Sequence, residues 1–196
     1  MKLYNKTRCP TDVLHRVLLR AARAVGSVRT ANVVVKVTTA RHGIPGEAQK
    51  LDCVFEWHLR NLKANRQPGR KTHTRGRAIS TDCGWIQISL PIASRDSLAT
   101  AEAFFRVAAH EWGHVRDFQY QQDGRAMLSW SHAVPGRRRP RHDDRPEERR
   151  AIRYVAQAIE RIEAGRVQAP DDDILALALW LDEQRSTRRQ RPTLRR

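Results

Sequence analysis

RVAAHEWGHVRDF, residues 106–118, sets His110, Glu111 and His114 in the pattern H-E-x-x-H. At about 100° per residue, Ala101, Phe104, Phe105, Ala108, Trp112, Val115 and Phe118 fall on one broad apolar face. The pattern predicts a long helix from about 98 to 122, opened by Ser97 or Thr100 and ended by Gly124. His110 and His114 fall on the other face, outside the stripe that would make them ordinary core residues.

Residues four apart on a helix stand one turn above each other, so the two imidazoles can address one point. Zinc takes such nitrogens at about 2.0–2.1 Å and leaves room for a third protein ligand and a water. Glu111, one step round from His110, need not touch the metal. From there a carboxylate can act as general base, taking a proton from an attacking water and passing it to the leaving amine. With eight His and nine Glu in 196 residues, a chance match is expected in roughly one or two chains per hundred, so the mid-helix placement adds weight. Gly113 beside the pair lets a neighbouring backbone come close. Asp117 lies on the ligand face, three residues after His114, where it can hold a ring N–H or pair with Arg116 or another cation.

Outward from this helix the chain alternates simple elements. Thr11 caps a helix whose Leu14, Val17, Leu18, Ala21 and Val25 keep the 3.6 period up to Gly26. TANVVVKVTT, residues 30–39, predicts a strand with Val33, Val35 and Val37 on one face. LDCVFEWHLR, residues 51–60, alternates Leu51, Cys53, Phe55, Trp57 and Leu59, a second strand. CGWIQISLPIA, residues 83–93, predicts a third strand, alternating Ile86, Ile88 and Leu90 before Pro91, which cannot donate to a ladder and so suits a strand end or an edge. After the motif helix, one helix starts near Pro146, with Ile152, Val155, Ala156, Ile159 and Ile162 apolar and Gly165 as its stop. A last helix follows Pro170, with Asp171, Asp172 and Asp173 at its positive end and Ile174, Leu177, Ala178 and Leu181 as its buried stripe.

A two-histidine site needs a third ligand. The metzincin continuation would put Gly and His where this chain has Asp117 and Tyr120, which excludes that class. A carboxylate from a second helix is the alternative. RPEERRA, residues 145–151, offers Glu147 and Glu148 in a first helical turn, where acidic residues also serve as simple charge caps. His132, His142, Asp143 and Asp144 are further candidates in the connecting segment.

H-E-W-G-H on a helix, preceded by GWIQISL and followed by a helix opening R-P-x-E-x-x-A, resembles the compact gluzincin-type zincins, including SprT-like and minigluzincin proteases. The resemblance covers residues 10 to 165 as an order of elements, and its specific motifs are those two short segments. It implies a zincin-like α+β core with one catalytic zinc held by His110, His114 and Glu148, and Glu111 as general base. Glu148 matches through its position three before Ala151, with Glu147 as substitute. It also implies that residues 84 to 90 form an edge along which an extended peptide pairs. The oxyanion stabiliser stays open among His132, Tyr120, Tyr154 and several arginines.

The chain length suits one domain with its own core. Cys9, Cys53 and Cys83 are too few and too scattered for a disulfide framework or zinc ribbon, and a reducing, cytoplasmic setting is expected. Arg16, Arg20 and Arg23 interrupt the first apolar run, so no secretory signal is expected, and no apolar stretch is long enough to span a membrane. Asp12 and the helix's fit to a core argue against a transit peptide.

Thirty-seven Lys and Arg against 21 Asp and Glu give a net charge of +16, which attracts polyanions without specifying chemistry. The excess gathers in 63–77, 137–145 and 185–196, as solvated surface or as a contact for nucleic acid or a nucleic-acid-bound protein. The domain is expected to span 1–184, with a small three-stranded or slightly larger sheet packed on the motif helix and its flanking helices. A basic loop insertion over 124–145, carrying Met127, Trp130 and His132, either gates the cleft or is exposed, and a basic, disordered tail follows over 185–196. The expected activity is zinc-dependent hydrolysis of peptide bonds. The rivals are a nucleic-acid-binding or structural protein on the same scaffold, and a zinc hydrolase of a non-peptide amide.

Overall fold

β-branched and aliphatic residues at alternate positions build a parallel sheet. The computed structural model describes residues 1–31, 33–40, 84–92, 95–120 and 146–189. In it β1 (Lys2–Asn5), β2 (Val33–Ala40) and β3 (Gly84–Pro91) pair in the order β1-β2-β3, both pairings parallel. Val35 stands opposite Ile86 and Val37 opposite Ile88, so Val33, Val35, Val37, Ile86, Ile88 and Leu90 share one buried face. The other face is half-exposed, with Lys36 opposite Gln87 and Thr38 Oγ1 3.2 Å from Ser89 Oγ. The alternation anticipates β2 and β3. It does not anticipate β1, a four-residue strand too short for a period to show.

Parallel neighbours need a crossover, and α1 (Thr11–Val25) makes the one between β1 and β2. Asn5, the last residue of β1, organises its entry: Nδ2 donates to the Cys9 carbonyl at 2.7 Å and to Thr11 Oγ1 at 3.1 Å, while Oδ1 accepts from the Thr7 N–H at 2.9 Å. Thr11 is therefore the first helical residue rather than the cap. Pro10 holds the cap position without a side-chain hydrogen bond. Gly26 ends the helix as expected, at φ +74, its N–H donating to the Ala22 carbonyl at 3.1 Å. The Val25 carbonyl then accepts from Arg116 Nη1 and Arg161 Nη1, both at 2.8 Å, which ties the negative end of α1 to the two helices described next.

α2 (Ser97–Tyr120) carries the motif and touches α1, β3 and both later helices, α3 (Pro146–Glu163) and α4 (Asp171–Arg189). Its cap is Asp96, whose Oδ1 accepts from the Ala99 N–H at 2.9 Å, whereas Ser97 donates to Asp182 at 2.8 Å. Ala101, Phe104, Phe105, Ala108, Trp112 and Val115 are buried as the periodicity requires, each large side chain contributing about 1.5–3 kcal/mol. The opposite face is not a surface: Glu111, His114 and Asp117 are also buried, and α3 packs on this side, with Glu148 at His114 and Arg150 at Asp117.

The buried face of α3 follows its apolar stripe only in part: Val155 and Ile162 pack against the core, partly buried. Glu148, Ala151 and Ala158 are buried, while Ile152 is 51% exposed and Ala156 is exposed. At Ala151, which stands opposite Gly113 of α2, the two helices approach too closely for a large side chain. On α4, Ile174, Leu177, Ala178 and Leu181 are buried as expected, and the helix continues to Arg189, five residues into the stretch expected to be tail. The four helices and the sheet make an α+β fold. No helix among the described residues is long and apolar enough to cross a membrane. The strand expected over 51–60, the basic segments 63–77 and 137–145, the insertion 124–145 and residues 190–196 lie outside the described residues.

Candidate metal centre

The middle of α2 is enclosed, with every residue from Glu111 to Val115 buried. The one-turn spacing stacks His110 and His114 edge to face, ring centroids 4.6 Å apart, and brings their Nε2 atoms to 3.0 Å. From the first turn of α3, Glu148 Oε2 lies 3.1 Å from His110 Nε2 and 3.3 Å from His114 Nε2. Gly113 permits this approach: a Cβ there would stand 3.3 Å from the Ala151 Cα and 3.4 Å from its carbonyl oxygen. The backbone expected to come close to Gly113 is thus that of α3, three residues beyond Glu148.

Three atoms bound tetrahedrally at about 2.0–2.1 Å from zinc stand roughly 3.3–3.4 Å apart. The triangle here has edges of 3.0, 3.1 and 3.3 Å. Its chemistry fits a cation as well as its size does. Two imidazole nitrogens and a carboxylate oxygen turn lone pairs toward one another, and only shared protons or a cation reconcile them. His110, His114 and Glu148 could therefore hold a metal ion.

Burial sets the electrostatics. It pushes the Glu111 carboxyl up to about 7; His110 pulls it back, and the Glu148 carboxylate adds to the rise. Burial also holds the His114 imidazole below its usual range, against the opposing pull of its hydrogen bond to the Glu148 carboxylate, so the ring favours its neutral, ligating form. Among the described residues, His114 Nδ1 and Trp112 Nε1 are buried without a hydrogen-bond partner. Cys9 is a buried free thiol that desolvation, with some help from Asp12, raises to about 12, so it stays protonated and a poor nucleophile.

Asp117 is buried on the ligand side of α2, as its spacing suggests, but does not hold the His114 ring. It accepts from Arg150 Nε at 2.7 Å and from Tyr154 Oη at 3.4 Å. Arg116, the pairing candidate next door, instead lies over the Tyr154 ring at 4.5 Å and donates to the end of α1. Arg150 is the residue that sequence reasoning missed: its partner is 33 positions away, and nothing local marks it among the surrounding arginines. Of the other third-ligand and oxyanion candidates, His132, His142, Asp143, Asp144 and the side chains of Glu147 and Tyr120 lie outside the described residues.

No family model matches the chain, and neither does any curated protein or solved structure.

Proposed function

We propose that this chain is a zinc metallopeptidase of compact gluzincin-like type, in which His110, His114 and Glu148 hold one catalytic zinc and Glu111 is the general base. The carrying observation is the convergence of two imidazole nitrogens and a carboxylate oxygen within 3.0–3.3 Å, beside a second buried carboxyl on the same turn of α2. Bound there, zinc supplies a Lewis acid that polarises a carbonyl and brings the pKa of water toward about 7.

The chain's own residues do the rest. With zinc bound, Glu148 would offset one of the ion's two positive charges, so the centre would keep a net positive charge toward an incoming carbonyl. Glu111, on the helix that carries both histidines, takes a proton from water and returns it to the leaving amine. His110, with its side chain 23% exposed against 3% for His114 and 6% for Glu148, marks the side from which substrate arrives. β3 ends the sheet among the described residues, and residues 84–90 are the edge along which an extended polypeptide pairs. The charge of +16 favours acidic or nucleic-acid-bound polypeptides, and the cysteine usage suits a reducing compartment such as the cytoplasm.

Glu111→Gln tests this reading. Cleavage of a peptide library by the zinc-loaded protein falls by about 10²–10⁴-fold while zinc content stays that of the parent. Undiminished cleavage in the variant, or turnover confined to small non-peptide amides, contradicts it.

A further inference from the structure

Gly113 and Ala151 explain how α3 comes close to α2, but a contact between small residues does not fix how far one helix slides along the other. Glu148 Oε2 tolerates little slide, since it must stay near two nitrogens at once, at 3.1 and 3.3 Å. A directional bond between the same helices can set that slide. One is present: buried Asp117, one turn beyond His114 on α2, accepts from Arg150 Nε at 2.7 Å, and Arg150 is two residues after Glu148 on α3. Tyr154, a turn further along α3, places its hydroxyl 3.4 Å from the other Asp117 oxygen, and the Arg116 guanidinium lies over its ring. A charge-assisted bond to a carboxylate removed from water is short and orientation-dependent, which suits a registering contact.

We infer that Asp117 is a positioning residue for the third ligand: through Arg150 it fixes the slide of α3 along α2 that keeps Glu148 against His110 and His114. The inference rests on those three residues being the metal set. It gives Asp117 a different task from holding a histidine ring, because its reach is to the helix that brings the carboxylate.

The test uses the full chain stripped of metal. Asp117→Asn, Arg150→Met and Arg150→Lys are titrated with zinc against a chromophoric chelator and with cobalt(II), whose visible absorption reports coordination number. Thermal melting of each metal-free variant is recorded alongside, and Glu148→Gln sets the scale for complete loss of the third ligand. Asp117→Asn and Arg150→Met are expected to bind zinc roughly 10–100-fold more weakly and to give a fainter cobalt band, as water enters a loosened site. Arg150→Lys, which keeps a cation beside Asp117, recovers part of the loss. If Asp117→Asn does not fold, Arg150→Met carries the test, since that side chain is 32% exposed. Melting temperatures that fall while zinc affinity and the cobalt band match the parent overturn the inference and leave the metal reading standing. A parent protein that takes up no cobalt overturns both.

Discussion

Asp173 and Glu148 are both acidic residues in the first turn of a helix, both buried, and they face opposite kinds of neighbour. Asp173 accepts from Arg16 Nε at 2.8 Å and Arg20 Nε at 3.1 Å. Guanidiniums stay protonated at any working pH, so this cluster is complete in charge and in hydrogen bonds and joins α4 to α1. Glu148 meets two imidazole nitrogens, and burial favours the neutral form of His114. Two imidazole nitrogens and a carboxylate oxygen meet here, an arrangement that shared protons or a cation can satisfy, so this cluster could hold a metal ion. A buried carboxylate is thus no sign of function by itself; what it faces decides.

The two clusters should come apart under metal removal. With zinc at about 100 times its Kd, a bound ion adds about 2.7 kcal/mol of apparent stability, so a chelator lowers the melting temperature by roughly 5–10 °C. Identical melts with and without chelator would place Glu148 with Asp173 as a purely structural residue. Asp173→Ala sharpens the contrast from the other side. It removes two charge-assisted hydrogen bonds to a buried carboxylate and costs about 1.5–3 kcal/mol in chemical denaturation, with zinc stoichiometry unchanged. Zinc lost along with stability in that variant would join what the comparison separates. The smallest effect on stability belongs to Gly113→Ala. A gain of about 1 kcal/mol in helix propensity offsets crowding at 3.3 Å from the Ala151 Cα, so stability changes little while zinc affinity falls several-fold. Unchanged affinity would mean that the closeness of α3 at this point does not place Glu148.

Part of this was legible beforehand and part was not, for physical reasons. H-E-x-x-H and the apolar face of α2 announce the helix and its two histidines, because periodicity registers hydrophobic residues. The same signal cannot tell a polar face that is buried from one that is wet, so Glu111, His114 and Asp117 look like surface although all three are buried. Only the resemblance, through R-P-x-E-x-x-A, favours Glu148 over Glu147, since by position alone the acidic first turns of α3 and α4 read alike as charge caps. Ile152 and Ala156 misdirect the reading of α3, since both are exposed while Val155 and Ile162 of the same stripe pack against the core. The Arg150 bond to Asp117, the Asp96 cap and the Asn5 turn depend on directions in space that residue order does not carry.

Zinc content after stripping, reloading and exhaustive dialysis, measured for the parent, Glu148→Gln and Asp173→Asn, decides whether His110, His114 and Glu148 hold a metal. One zinc per chain is expected in the parent and in Asp173→Asn, and a small fraction of that in Glu148→Gln. Equal zinc in all three, or none in the parent, would contradict that expectation.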